Sequence, residues 1–120
     1  MKKVYIVDGA RTPFLKAKGK FAFVTSKMGS ISEMVSSVAP TYRASKAALN
    51  AVVKATSIEY GPQGMTSFVM HPGWVKTDMG GSNADIEPSV SIAGMRRVIA
   101  NANADANGKF FNYDGSEIAW

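Results

Sequence analysis

The sequence predicts an α/β fold, a partial doubly wound parallel sheet of about four strands with two main helices. Two observations carry that expectation. Apolar, β-favouring runs alternate with helical patterns in the order strand, loop, helix, strand, loop, helix, strand, which is how a parallel sheet with crossover helices reads. The strand candidates are continuously apolar rather than alternating, as strands buried on both faces are. At 120 residues the chain is one small domain with room for a single core.

Val4-Tyr5-Ile6-Val7 is the first expected strand, ended by Asp8-Gly9. Ala10 to Lys20 holds Pro13 and Gly19 and no sustained helical period, so it reads as a loop or one loose helical turn. Phe21-Ala22-Phe23-Val24 is the second strand, followed by a polar loop over residues 32–40. Thr41 is the expected cap of a helix running to about Tyr60, with Ala44, Ala47, Ala48, Ala51, Val52, Ala55 and Ile58 on its buried side. Gly61-Pro62 should end it. Thr66 to Met70 is the third strand, stopped at His71-Pro72-Gly73. Residues 74–86 are rich in Gly, Asn and Asp and long enough to be a binding segment. A second helix is expected from Glu87-Pro88 to about Ala104, then a turn at Asn107-Gly108, a last strand over Lys109–Asn112 and a turn at Asp114-Gly115.

Composition narrows the function classes. There is no cysteine, hence no disulfide, thiolate nucleophile or thiolate metal site, which is compatible with a cytoplasmic location. His71 is the only histidine, so neither a histidine metal site nor a triad is expected, and it reads as structural. No apolar run approaches the length of a membrane span. The net charge of +5 is concentrated: residues 1–27 hold seven basic side chains and one acid. The patch is neither broad nor interleaved with aromatics, so it reads as a solvated connection rather than a nucleic-acid surface.

Tyr42 and Lys46 stand four residues apart at the start of the first long helix, which stacks them on one face. An ammonium beside a phenol favours the phenolate, so such a pair can act as a proton donor. Strand ends are where ligands sit in parallel α/β sheets. Ser26 follows the second strand and His71 to Thr77 the third, so three segments are expected to converge on one edge.

Two resemblances attach to these residues. Met1 to about Gly19, reading Val-Tyr-Ile-Val-Asp-Gly-Ala-Arg-Thr-Pro-Phe, resembles the amino-terminal strand and loop of a thiolase, a chemistry that needs cysteines this chain lacks. From Lys20 on, three motifs in order resemble the catalytic half of a short-chain dehydrogenase/reductase of the carbonyl-reductase kind. They are Phe23 to Ile31, Tyr42-Arg43-Ala44-Ser45-Lys46, and His71 to Gly81. The ending Gly108 to Gly115 matches as well. The division implied is a leader over residues 1–19 and a catalytic half, Rossmann-like, over residues 20–120.

The second resemblance implies NAD or NADP as cofactor and a small carbonyl or alcohol as substrate. Tyr42 would be the proton donor. Lys46 would assist it and hydrogen-bond the nicotinamide ribose, and Ser26 would orient the substrate oxygen. Pro72, Gly73, Val75 and Thr77 match the segment that contacts the nicotinamide carboxamide and the adjoining phosphate. Ser30 rivals Ser26, because Ser26 precedes Tyr42 by 16 residues and Ser30 by 12, and the family's usual spacing falls between. Trp74 and Met79 are candidates for a substrate pocket.

The family's Gly-x-x-x-Gly-x-Gly turn, which admits a pyrophosphate to a helix N-terminus, has no counterpart in the first 28 residues, where the only glycines are Gly9 and Gly19. Three readings therefore stay open. The chain is a truncated or fused reductase half, a silent remnant or interaction module that keeps a dimerising helix, or a basic binding protein acting through residues 1–27. Two helices cannot cover both faces of a four-stranded parallel sheet, so either association into a homo-oligomer through the alanine-rich helix or marginal stability is expected.

Overall fold

A computed structural model describes residues 19–120. The expected strand over Val4–Val7 and the thiolase-like segment lie outside those residues, apart from Gly19. The described part holds a three-stranded parallel sheet rather than four strands, in the order β1 (Lys20–Val24), β2 (Thr66–His71), β3 (Phe110–Asn112). Two helices accompany it, α1 (Pro40–Tyr60) and α2 (Pro88–Asn101). The α/β class and the two helices agree with the sequence.

β2 is the central strand, and its Phe68-Val69-Met70 run sends side chains to both faces. Val69 joins Val53, Phe110 and Ile118 on the α1 side, with Phe23, Leu49 and Trp120 packed against them. Phe68 and Met70 join Ala102 and Ala106 on the other side, with Met95, Val98 and Phe111. Phe68 meets Phe111 edge-on, ring centroids 5.7 Å apart. Burying a side chain such as Phe68 contributes about 2–3 kcal/mol, so this strand anchors both half-cores.

The register places Phe23 beside Val69 and Val24 beside Met70. Thr66 N donates to Gly19 O and Thr25 N to Met70 O. In a parallel ladder alternate residues face the same neighbour. Phe21 and Phe23 therefore turn their backbone groups to β2, while Ala22 and Val24 turn theirs away. No described strand pairs with that second edge.

Helix α1 differs from its sequence reading at both ends and on its faces. Thr41 is inside the helix. Pro40 takes the first turn, where its missing N–H costs nothing, and Ala39 precedes it in the left-handed region at φ 53° with no side-chain cap. At the far end Gly61 keeps right-handed helical angles, the chain tightens into a 3-10 turn over Gly61–Gln63, and Gly64 takes the left-handed position. The face that packs inward carries Lys46, Leu49, Asn50, Val53 and Ser57. Leu49 and Val53 supply more apolar area to the sheet than alanines can. Ala44, Ala48, Ala51, Val52, Ala55 and Ile58 are exposed, and only Ala47 of the expected set is half-buried.

Helix α2 starts at Pro88 as expected but ends at Asn101, and Ala104–Ala106 form a separate 3-10 turn capped by Asn103. β3 begins at Phe110, one residue late, because Lys109 N bonds back to Ala106 O while Lys109 O accepts from Val69 N.

Candidate active site

The carboxyl ends of β1 and β2 open into one cleft of about 970 Å³. Ser26, Tyr42, Pro72, Gly73, Val75 and Thr77 all line it, together with Lys27, Arg43, His71, Trp74, Met79 and Ile92. Three stretches distant in sequence thus meet at one edge, as the strand–loop pattern predicts.

Ser26 ends the strand region and caps a 3-10 turn over Lys27–Gly29, its Oγ accepting from Met28 N at 3.2 Å. Gly29 seats that turn against α1. A Cβ there would come within 2.9 Å of the Lys46 backbone carbon and 3.0 Å of Asn50 Nδ2, so only glycine permits the approach. The structure separates the two rival serines. Ser30 is buried outside the cleft, its Oγ donating to Ala119 O at 2.6 Å and accepting from Glu33 N at 3.1 Å. Ser26 is in the cleft. Its Oγ keeps lone-pair and donor capacity beyond the Met28 bond.

Tyr42 lies on the first turn of α1, partly exposed. Lys46 stands one turn on with its ammonium 5.6 Å from the centroid of the Tyr42 ring. That is a cation over an aromatic face, not a bond to the phenol oxygen. Arg43, an unremarkable filler in the Tyr-x-x-x-Lys pattern, holds the neighbourhood together. Its Nε donates to Val38 O at 2.8 Å and its terminal nitrogens to Ser36 Oγ at 3.1 Å and Met28 O at 3.4 Å. Those bonds tie the loop before the helix, and the turn after Ser26, to the residue beside Tyr42.

On the opposite wall Gly73 has φ +87°, and a Cβ on it would meet Ile86 Cδ1 at 2.6 Å. Ser91 of α2, itself buried, donates its Oγ to Pro72 O at 2.6 Å and pins the start of the loop. The loop then folds on itself. Trp74 O accepts from Asp85 N and Ile86 N, Trp74 Nε1 donates to Gly80 O at 2.9 Å, and Gly80 N donates to Thr77 Oγ1 at 3.2 Å. Lys76 pairs with Glu87 at 2.7 Å on the outside. Residues 74–86, the expected binding segment, thus fold on themselves through backbone and side-chain bonds.

Charge at the cleft mouth is partly cancelled. Lys27 pairs with Glu33 at 2.9 Å. That bond, then the Ala119 N–H, holds the Glu33 carboxyl below its ordinary range. His71 ends β2 and lines the cleft, with burial and then the Lys27 charge lowering its pKa from 6.5 to about 4. Nothing in the spacing of the sequence marked Arg43 or Ser91, because each acts through a backbone carbonyl brought close only by the fold. Among the described residues no group of three His, Cys, Asp or Glu side chains could hold a metal ion. No described helix is long and apolar enough to cross a membrane.

Comparison with known proteins agrees with this arrangement. A family profile described as enoyl-(acyl carrier protein) reductase matches residues 4–107. C-signal of Myxococcus xanthus is 43% identical over 116 residues, a match covering 95% of this chain and 70% of that protein. An uncharacterised oxidoreductase of Saccharomyces cerevisiae is 41% identical, over 86% of this chain and 46% of its own length. Among solved structures, the carbonyl reductase Sniffer of D. melanogaster superposes with a TM-score of 0.81 at 40% identity, covering 84% of this chain and 41% of that one. An NADPH-bound carbonyl reductase from chicken fatty liver gives 0.77 at 36% identity, over 84% and 42%. The chain thus spans most of C-signal but less than half of the reductases of known structure. With a family profile over residues 4–107 and 43% identity to C-signal over most of its length, the chain belongs to the short-chain dehydrogenase/reductase family.

Proposed function

We propose that this chain carries the proton-transfer half of an NAD(P)-dependent oxidoreductase that interconverts small carbonyls and alcohols. The observation that carries the reading is the meeting of Ser26, Tyr42 and the Pro72–Thr77 loop around one cleft. Tyr42 is the general acid, giving its phenolic proton to the substrate oxygen in reduction and taking it back in oxidation. The Lys46 ammonium over the ring offsets the negative charge that develops on the phenol. Ser26 Oγ hydrogen-bonds the same substrate oxygen and orients it toward Tyr42. The nicotinamide cofactor, when bound, supplies the hydride.

The residues present fit the nicotinamide end of that cofactor. Pro72, Gly73, Val75 and Thr77 form a wall held by Ser91, and the left-handed Gly73 lets that wall pack closely on Ile86 and Tyr113 behind it. NADP(H) in the related chicken enzyme and in a carbonyl reductase of Pseudomonas aeruginosa favours the same class here. The described residues hold no glycine-rich turn for the pyrophosphate, so the nicotinamide wall is what they offer the cofactor, while Lys46, which does not line the cleft, reaches it only beside Tyr42. The test is NADPH and NADH oxidation by the purified chain with a simple ketone. Tyr42→Phe should lower the rate by roughly 10²-fold or more, and an unchanged rate would remove Tyr42 from its role.

A second reading, a silent interaction module, is favoured by the exposed small-residue face of α1 (Ala44, Ala48, Ala51, Val52, Ala55). On either reading that face is proposed to pair with a second copy of the chain. Sedimentation should show a dimer, and a monomer at all concentrations would refute the pairing. No hydride transfer at millimolar cofactor would leave the module reading.

A further inference from the structure

His71 is the single histidine of the chain, and neither nitrogen of its ring is hydrogen-bonded within the described residues. It sits at the carboxyl end of the central strand and lines the cleft. Nδ1 is buried without a hydrogen-bond partner. No side-chain hydrogen bond of the described residues uses Nε2, and Nε2 is not among the buried polar atoms, so it is the nitrogen that meets the cleft.

A neutral imidazole carries one proton on one of two nitrogens. Buried Nδ1 makes no bond in either form, and an orphaned buried N–H is rarer than an orphaned buried acceptor, so the proton is assigned away from Nδ1. On Nε2 it is a donor offered to whatever enters the cleft. We propose that His71 is a ligand-binding residue whose Nε2–H donates a hydrogen bond to a neutral carbonyl oxygen, supplied by the nicotinamide carboxamide or by the carbonyl substrate. This rests on the oxidoreductase reading of the cleft.

The charged and titratable groups around the ring favour a neutral donor. Lys27 and Arg43 line the same cleft with Tyr42, and Glu33 is already paired with Lys27. A second positive charge beside those cations is disfavoured, and burial adds to the effect. The ring then stays uncharged through the neutral range and acts as a donor of constant form.

With one histidine, a long-range ¹H–¹⁵N spectrum of the imidazole reads the proposal directly on the unmodified chain. The expected result is the Nε2–H tautomer with no titration between pH 8 and pH 5.5. Two uncharged probes distinguish the sources, 1-benzyl-1,4-dihydronicotinamide for the carboxamide and acetophenone for the substrate. One of them should move the Nε2 signal as it saturates. His71→Phe should weaken that probe's binding about tenfold, the equivalent of one hydrogen bond of about 1.4 kcal/mol, and His71→Gln should recover part of the loss. An Nδ1–H tautomer, an ordinary titration near pH 6.5, or no response to either probe would overturn the proposal. These readouts need no turnover. Probe binding through His71 with no hydride transfer would count against the enzyme reading alone, and turnover with a silent histidine against this one alone.

Discussion

Replacing Asn107 with alanine should unfasten the sheet from α1. The Asn107 carboxamide spans two elements, its Oδ1 accepting from Ser67 N at 2.8 Å and its Nδ2 donating to Ser57 O at 2.9 Å. Ser67 on β2 is 0% exposed and Ser57 on α1 is 4% exposed, so water reaches the groups at both ends of the carboxamide poorly. Alanine leaves a buried donor and a buried acceptor unmade, each costing about 1–3 kcal/mol. Asn107 itself is half-buried and water can fill part of its place, so the lower part of the range applies, about 2–3 kcal/mol in total. With a urea m-value of roughly 1.5 kcal/mol per molar, the midpoint should fall by about 1.3–2 M. The assay is urea unfolding followed by tryptophan fluorescence, with the m-value checked for constancy. Asn107→Asp separates the two bonds. It keeps an acceptor for Ser67 N and sets a carboxylate against Ser57 O, so its loss should also be large. A shift below about 0.5 kcal/mol for Asn107→Ala would refute the reasoning, because surface substitutions away from such features stay in that range.

Three further outcomes are expected. Gly29→Ala should destabilise by about 1–3 kcal/mol by pushing the turn after Ser26 off α1. Calorimetry would show the loss, and solvent exposure of the Lys46–Asn50 stretch in hydrogen exchange would locate it. Ala39→Gly should raise stability by about 1 kcal/mol, since φ 53° strains a residue with a Cβ, and a lowered melting temperature would contradict that account. His71, with a folded pKa of about 4 against an ordinary 6.5, binds its proton more weakly when folded. Its contribution to stability is therefore complete above pH 6.5 and lost as pH falls from 6.5 towards 4. His71→Phe should flatten that part of the stability profile, which urea midpoints across pH would record.

Much of the fold was readable because the strands announce themselves. Phe21–Val24 and Thr66–Met70 are short, continuous and bounded by turn residues, and they appear as β1 and β2 within a residue. The site residues were readable for a related reason, since strand ends in a parallel sheet share an edge and Ser26, Tyr42 and Pro72–Thr77 all fall there. The faces of α1 were not. Alanine is compatible with either side of a helix, and what decides is the larger Leu49 and Val53, whose partner Val69 is twenty residues or so further along the chain. Thr41 was an attractive cap, but Pro40 fits the first turn and the cap falls two residues earlier, at Ala39. Arg43, Ser91 and Asn107 escaped notice because their partners are backbone carbonyls and amides, which no side-chain pattern displays.

The outward edge of β1 has a consequence for handling the protein in bulk. Ala22 and Val24 present backbone donors and acceptors beyond which no described strand lies, and Val24 is half exposed beside them. Such a rail is a template on which extended segments can add one after another. Where that edge is left uncovered, association rather than unfolding is the expected route of loss. Turbidity should grow with storage before any loss of helical signal, and a charge placed at Val24 is the simplest way to keep the chains apart.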